Sequence, residues 1–249
     1  MSERPFFIGW AAVPTGLRAF LSLAAVVLLG AAAGVALAIA ATQPDPGDGA
    51  VLGWEDDVPG VIVEEAYPLL YVTQTTGRLA AGSVVVMSAL NKAGVAERTR
   101  PMAGRAVTAS GLYTLRGEVV MLQLRFADRG LLPRDAAPEP VPAREDLGRW
   151  RLTGEICDGK CYAGAMRPGA GISHKACAAL CLLGEVPPVF VLAEPFMGEE
   201  YLLVTSPDGR PVGPETINLA GALLSAEGAV ERLGDLLIFR LDPSTARRP

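Results

Sequence analysis

The chain of 249 residues contains one histidine, His174, and four cysteines, all lying between Cys157 and Cys181. A hydrolytic triad needs a nucleophile oriented by a base, with a third group behind that base. One histidine, with no G-x-S-x-G turn anywhere, does not supply such a set. The C-x-x-C-H attachment motif of a c-type haem is missing, and the two histidines of a blue-copper site cannot be found. Neither a phosphate-binding loop nor a dinucleotide fingerprint occurs. Aromatic residues make up only 6% of the chain, and the formal net charge of -5 comes from intermixed acidic and basic residues. Nucleic-acid binding would need a basic stripe with stacking platforms, so nucleic acid is not an expected partner. Together these absences point away from an enzyme.

What the chain does have is a long uncharged run, Ala19 to Thr42. At about 1.5 Å of rise per residue, a helix over it crosses a hydrocarbon core of about 30 Å. A cleaved signal peptide is the competing reading, because "ALA" and "AIA" near the end of the run look like cleavage sites. Against it, the run is longer than the roughly 7–15 residues of a signal core, and a substantial segment precedes it. A retained transmembrane helix over 19–42 is expected, with 1–18 in the cytoplasm. Arg4 and Arg18 precede it, whereas Asp45, Asp48, Glu55, Asp56 and Asp57 follow it. Basic residues favour the cytoplasmic side, so the chain reads as a single-pass inner-membrane protein with its C-terminal part in the periplasm. The aromatics of "RPFFIGWAAVP" suit the membrane interface. Gly30, Gly34 and Ala38 recur every four residues, a spacing that lets a second span approach closely.

Beyond the span, Pro and Gly mark linkers over 43–58 and 133–147, flanking a first domain (59–132) and a second (148–243), with a tail at 244–249. Short stretches such as "SVVVMSAL", "EVVMLQLRF", "RWRLTGEI" and "DLLIFRL" have strand composition and are punctuated by turn residues. An offset of 117 residues lays Ser83–Ser88 on Glu200–Thr205 and Ala109–Leu124 on Ala226–Leu241, bringing Gly111 onto Gly228 and Gly117 onto Gly234. The fold class is mainly β: a transmembrane helix followed by two small, duplicated, OB-like antiparallel barrels.

The segment "GEICDGKCYAGAMRPGAGISHKACAALC" is what separates the second domain from the first. "SHKACAALC" reads as a short helix with Ser173 as N-cap, which puts Cys177 and Cys181 on one face and too far apart to bridge each other comfortably. Cys157 and Cys161 lie at a strand end and in the loop after it. In an oxidising compartment, two disulfides between these pairs are the leading expectation, with Cys161–Cys177 and Cys157–Cys181 slightly favoured. Each would contribute about 3 kcal/mol. The alternative is a metal centre for zinc or copper, ligated by Cys161, His174, Cys177 and Cys181. A redox-active disulfide is a third reading, and a lone histidine at a helix start is commonly just solvated or hydrogen-bonded.

On Gly154, Ile156, Asp158, Cys161, His174, Cys177, Cys181 and Gly184 the segment resembles uncharacterised membrane-anchored envelope proteins of alphaproteobacteria. These share a G-x-I-x-D-x-x-C…H-x-x-C-x-x-x-C pattern. Cys157 departs from that pattern. The resemblance brings no activity with it. Its bacterial setting suggests a non-catalytic accessory or assembly subunit of a respiratory or photosynthetic redox complex. Such a subunit would dock through its helix on a larger integral-membrane complex and hold no cofactor of its own. A metal-handling or thiol-redox protein is the alternative.

Overall fold

The computed structural model describes residues 13–42 and 49–249. Residues 4–12 of the aromatic stretch and residues 43–48 of the expected linker lie outside these residues. The chain divides into two units, 1–45 and 46–249.

The first unit holds helix α1, Thr15–Thr42, 28 residues with no acidic group in its first turn. It starts four residues before the expected span, where Leu17 N donates to Pro14 O at 2.9 Å. Proline is tolerated at a helix start because the N–H it lacks would have no intrahelical partner there. Thr15–Ala41 is long and apolar enough to cross a membrane. At helical rise it spans about 40 Å.

The second unit is mainly β. Strands β1 (Ala50–Val63), β2 (Leu69–Val72), β3 (Val84–Ala89), β4 (Ala106–Arg116), β5 (Val119–Leu124) and β6 (Leu131–Pro133) form one six-stranded sheet. Its order is β1-β2-β3-β5-β4-β6, and β4 also pairs back to β1. Strands β7 (Arg144–Asp158), β8 (Pro188–Phe196), β9 (Glu199–Thr205), β10 (Leu223–Leu233) and β11 (Leu236–Arg247) close into a barrel. Neither sheet is wholly antiparallel as expected: β3 runs parallel to β5, and β9 parallel to β11. A strand crossing between neighbours through an intervening element arrives in the same direction, which a hairpin cannot do.

Several expected boundaries move. β1 begins at Ala50 inside the expected linker 43–58, β7 begins at Arg144 inside 133–147, and β11 runs to Arg247 through the expected tail. The start of β7, "REDLGRWR", reads as linker because it is charged. Its charges face partners across the ladder: Arg144 Nη1 donates to Glu231 Oε2 at 2.6 Å, and Arg149 and Arg151 both reach Glu227. Opposite charges on facing strands favour pairing.

The 117-residue offset reproduces the strand register. Gly111 faces Leu124 as Gly228 faces Leu241, and Arg116 faces Val119 as Leu233 faces Leu236. Val86 faces Met121 as Leu203 faces Ile238. Gly117 and Gly234 both turn with positive φ, 55° and 60°, a conformation that glycine adopts without steric cost. Helices α2 (Ala96–Thr99) and α4 (Pro214–Leu219) lie between the third and fourth strands of their respective sheets. The two halves differ mainly between their first and second strands. That connection is short in the first sheet, whereas in the barrel it contains the cysteine segment and helix α3 (Lys175–Leu183).

Strand alternation produces three cores. Val85, Met87, Leu122 and Leu124 face the interior of the first sheet. Ile156, Phe190, Leu202, Phe239 and Leu241 fill the barrel, together with Ala178 and Leu182 of α3. The opposite faces meet: Leu69, Val84, Val86 and Met121 of the sheet pack with Val189, Tyr201, Leu203 and Ile238 of the barrel. Many of these positions correspond under the same offset, so like faces bury like.

Candidate functional site

The site lies where β7 ends, α3 begins and a loop of the first sheet arrives. Asp158, the last residue of β7, is fully buried. One carboxylate oxygen accepts the Cys161 N–H at 2.8 Å, and the other lies 2.8 Å from His174 Nε2. His174 is itself buried. One side chain thus ties together the strand end, the loop after it and the start of the helix. This is the stapling role expected of disulfides, performed by hydrogen bonds.

All four cysteines are free, so the expected bridges from Cys157 and Cys161 to Cys177 and Cys181 are not formed. Alternation explains why Cys157 stands apart. It points to the face opposite Ile156 and Asp158 and joins the core between sheet and barrel. Its thiol donates to Glu155 Oε1 at 3.2 Å, and burial first, then the Glu155 carboxylate, pushes its pKa well up. Cys161, Cys177 and Cys181 instead converge, their sulfurs within 4.8 Å of one another. Cys161 and Cys181 are buried with Val186, and Cys177 is half-buried.

The expected four-ligand set of Cys161, His174, Cys177 and Cys181 divides into two groups among the described residues. The three thiols form one, and Asp158, Cys161 and His174 form the other. His174 turns to Asp158 because both are buried polar groups and each satisfies the other. Ser173 is not the N-cap either. Residues Ile172–His174 form a 3-10 turn, and His174 occupies the cap position of α3 without a side-chain cap bond.

Lys92 was not legible as a site residue in the sequence. Its Nζ donates to Cys177 Sγ at 2.7 Å and to Cys181 Sγ at 3.5 Å. The Cys177 sulfur, with help from Cys181, raises the Lys92 pKa above its ordinary value. Cys181 is pulled down to about 7, first by a hydrogen bond from the Cys161 thiol and further by Lys92. Cys161 is pushed up in turn, because it keeps the proton that it donates to Cys181, and burial adds to this. Of the pair, Cys181 is the sulfur drawn towards thiolate.

Two small residues allow this approach. A side chain at Gly184 would collide with the Lys92 carbonyl, and one at Gly94 would sit 2.5 Å from Glu185 O. Of the patterned residues in the sequence, Asp158, Cys161, His174, Cys177, Cys181 and Gly184 meet here, and Cys157, which departs from the pattern, lies apart.

Gly30, Gly34 and Ala38 lie on α1, and a side chain built at either glycine would meet nothing within 4 Å beyond its chain neighbours and the helix's own backbone. No family model matches the chain, and neither a curated protein nor a solved structure shows significant similarity to it.

Proposed function

We propose that the protein is a membrane-tethered, periplasmic metal-handling protein whose Cys161, Cys177 and Cys181 bind one thiophilic ion, zinc or copper(I). The observation that carries this reading is the convergence of three free sulfurs within 4.8 Å. Soft thiolates select such ions over magnesium or calcium. When bound, the ion would be held in sulfur coordination and passed on. The chain's own residues prepare for it: Cys181 is already drawn towards thiolate, Lys92 offsets negative charge, and half-buried Cys177 opens the site to solvent. Asp158 and His174 position Cys161 and are not read as ligands.

We read both β units as OB-like. Their pairing order, with the fourth strand returning to the first and the third parallel to the fifth, supports this. OB barrels take oligonucleotides and sugars on the face of their second and third strands. Here those faces are packed against each other, which supports a function outside nucleic-acid binding. The basic residues before the span and acidic ones after it support the periplasmic orientation. A second reading, docking of the helix on a larger membrane complex as an accessory subunit, draws on the Gly30, Gly34, Ala38 face.

Titration of the reduced full-length protein in detergent with zinc and with copper(I), against a chromophoric chelator, tests the metal reading. One equivalent is expected. Serine at Cys161, Cys177 or Cys181 should weaken it more than about tenfold, or about 1.4 kcal/mol, and Cys157→Ser should not. Absence of binding by either ion would refute it.

A further inference from the structure

Lys92 is held in place by its backbone. Gly94 N donates to Gly184 O at 2.6 Å, and the buried Lys160 ammonium donates to the carbonyls of Leu90 and Asn91. The Lys92 carbonyl fills the space that a side chain at Gly184 would need. From this fixed loop, Nζ reaches 2.7 Å from Cys177 Sγ. Sulfur is larger than oxygen, yet this separation is below the roughly 2.9–3.0 Å typical of N–H···O bonds. A single oxygen bonded to both atoms would hold them at a similar separation, so the pair is already placed for such a link. Lys92 is exposed and Cys177 half-buried, so a small oxidant can reach both.

We propose that Lys92 and Cys177 form a reversible redox modification site, in which dioxygen joins them through a bridging oxygen, Nζ–O–Sγ. The step is written for the neutral amine and thiol. The S–H bond and one N–H bond break, and S–O and O–N bonds form. Sulfur and nitrogen each lose two electrons, dioxygen accepts all four, and its second oxygen leaves as water with the two released hydrogens. Two hydrogen peroxide molecules give the same product and three waters. Reversal takes four electrons, with two dithiols becoming two disulfides and the bridging oxygen leaving as water. On the metal reading above, the link also withdraws one of three ligands, so an oxidised envelope would stop metal uptake until the link is reduced. The link itself does not depend on that reading.

The test is peptide mass spectrometry of full-length protein in detergent, exposed to air or peroxide, alkylated and digested. The peptides carrying Lys92 and Cys177 should be joined, heavier than the two free peptides together by one oxygen less two hydrogens. The joined species should disappear with dithiothreitol and be absent from Lys92→Arg and from Cys177→Ser. Lys92→Arg keeps the charge on an exposed position and should fold. Cysteine-to-cysteine links alone, unchanged by Lys92→Arg, would overturn the proposal. So would Cys177 remaining open to alkylation across the oxidant range. Failure of the link leaves metal titration of the reduced protein unchanged, and failure of that titration leaves the peptide masses unchanged.

Discussion

Replacing Asp158 with alanine tests what holds the site together. The carboxylate is fully buried and takes two hydrogen bonds of 2.8 Å, from the Cys161 N–H and from the ring of buried His174. Hydrogen bonds to a charged group contribute about 1.5–3 kcal/mol each. Removing one member of a buried pair costs about 3–5 kcal/mol, because the other is left unsatisfied. Asp158→Ala should therefore destabilise the protein by about 3–5 kcal/mol, a large part of the roughly 5–15 kcal/mol of an ordinary domain. Asp158→Asn keeps an acceptor for the Cys161 N–H and should lose about half as much. Urea denaturation of the full-length protein in detergent, followed by tryptophan fluorescence, measures both. A double-mutant cycle with His174→Ala should show coupling above about 1 kcal/mol. A loss below about 1 kcal/mol for Asp158→Ala, or additive single losses, would refute the idea that this dyad joins strand end to helix start.

Gly228→Ala places a methyl group against the Arg240 carbonyl and 2.6 Å from the Phe239 ring, and Gly111→Ala meets Gln123 O at 2.6 Å. Each should cost about 1–3 kcal/mol by thermal unfolding, whereas Gly213→Ala enters open space and should be near neutral. An alkaline phosphatase fusion at the C-terminus should be active, and a mature chain beginning near Ala41 would contradict the retained anchor. If the Gly30 face carries docking, leucine at Gly30 and Gly34 together should abolish co-purification with membrane partners while β unfolding stays unchanged.

The register of the two β units was legible in the sequence because turn glycines and apolar strands recur together at one spacing. The long apolar helix α1 was legible from its uncharged length. The start of β7 was not, because cross-strand ion pairs such as Arg149 with Glu227 look like linker composition until the facing strand is known. The cysteines were legible as a cluster, with Cys161, Cys177 and Cys181 as candidate ligands and Cys157 as the odd one out, but the reason for that separation was not legible. Cys157 leaves the group through strand alternation, which depends on which face of β7 meets the other sheet. Asp158 and His174 were visible as patterned residues, yet their mutual hydrogen bond follows from burial, which spacing does not reveal. Lys92 lies far from the cysteines in sequence and is brought to them by a loop whose contact depends on Gly184 and Gly94.

X-ray absorption of the metal-loaded full-length protein tests the central claim most directly. The account predicts a first shell dominated by three sulfurs, at about 2.3 Å for zinc, that loses one sulfur in each of Cys161→Ser, Cys177→Ser and Cys181→Ser and none in Cys157→Ser. A shell of nitrogen and oxygen alone, or a sulfur shell that depends on Cys157, would contradict it.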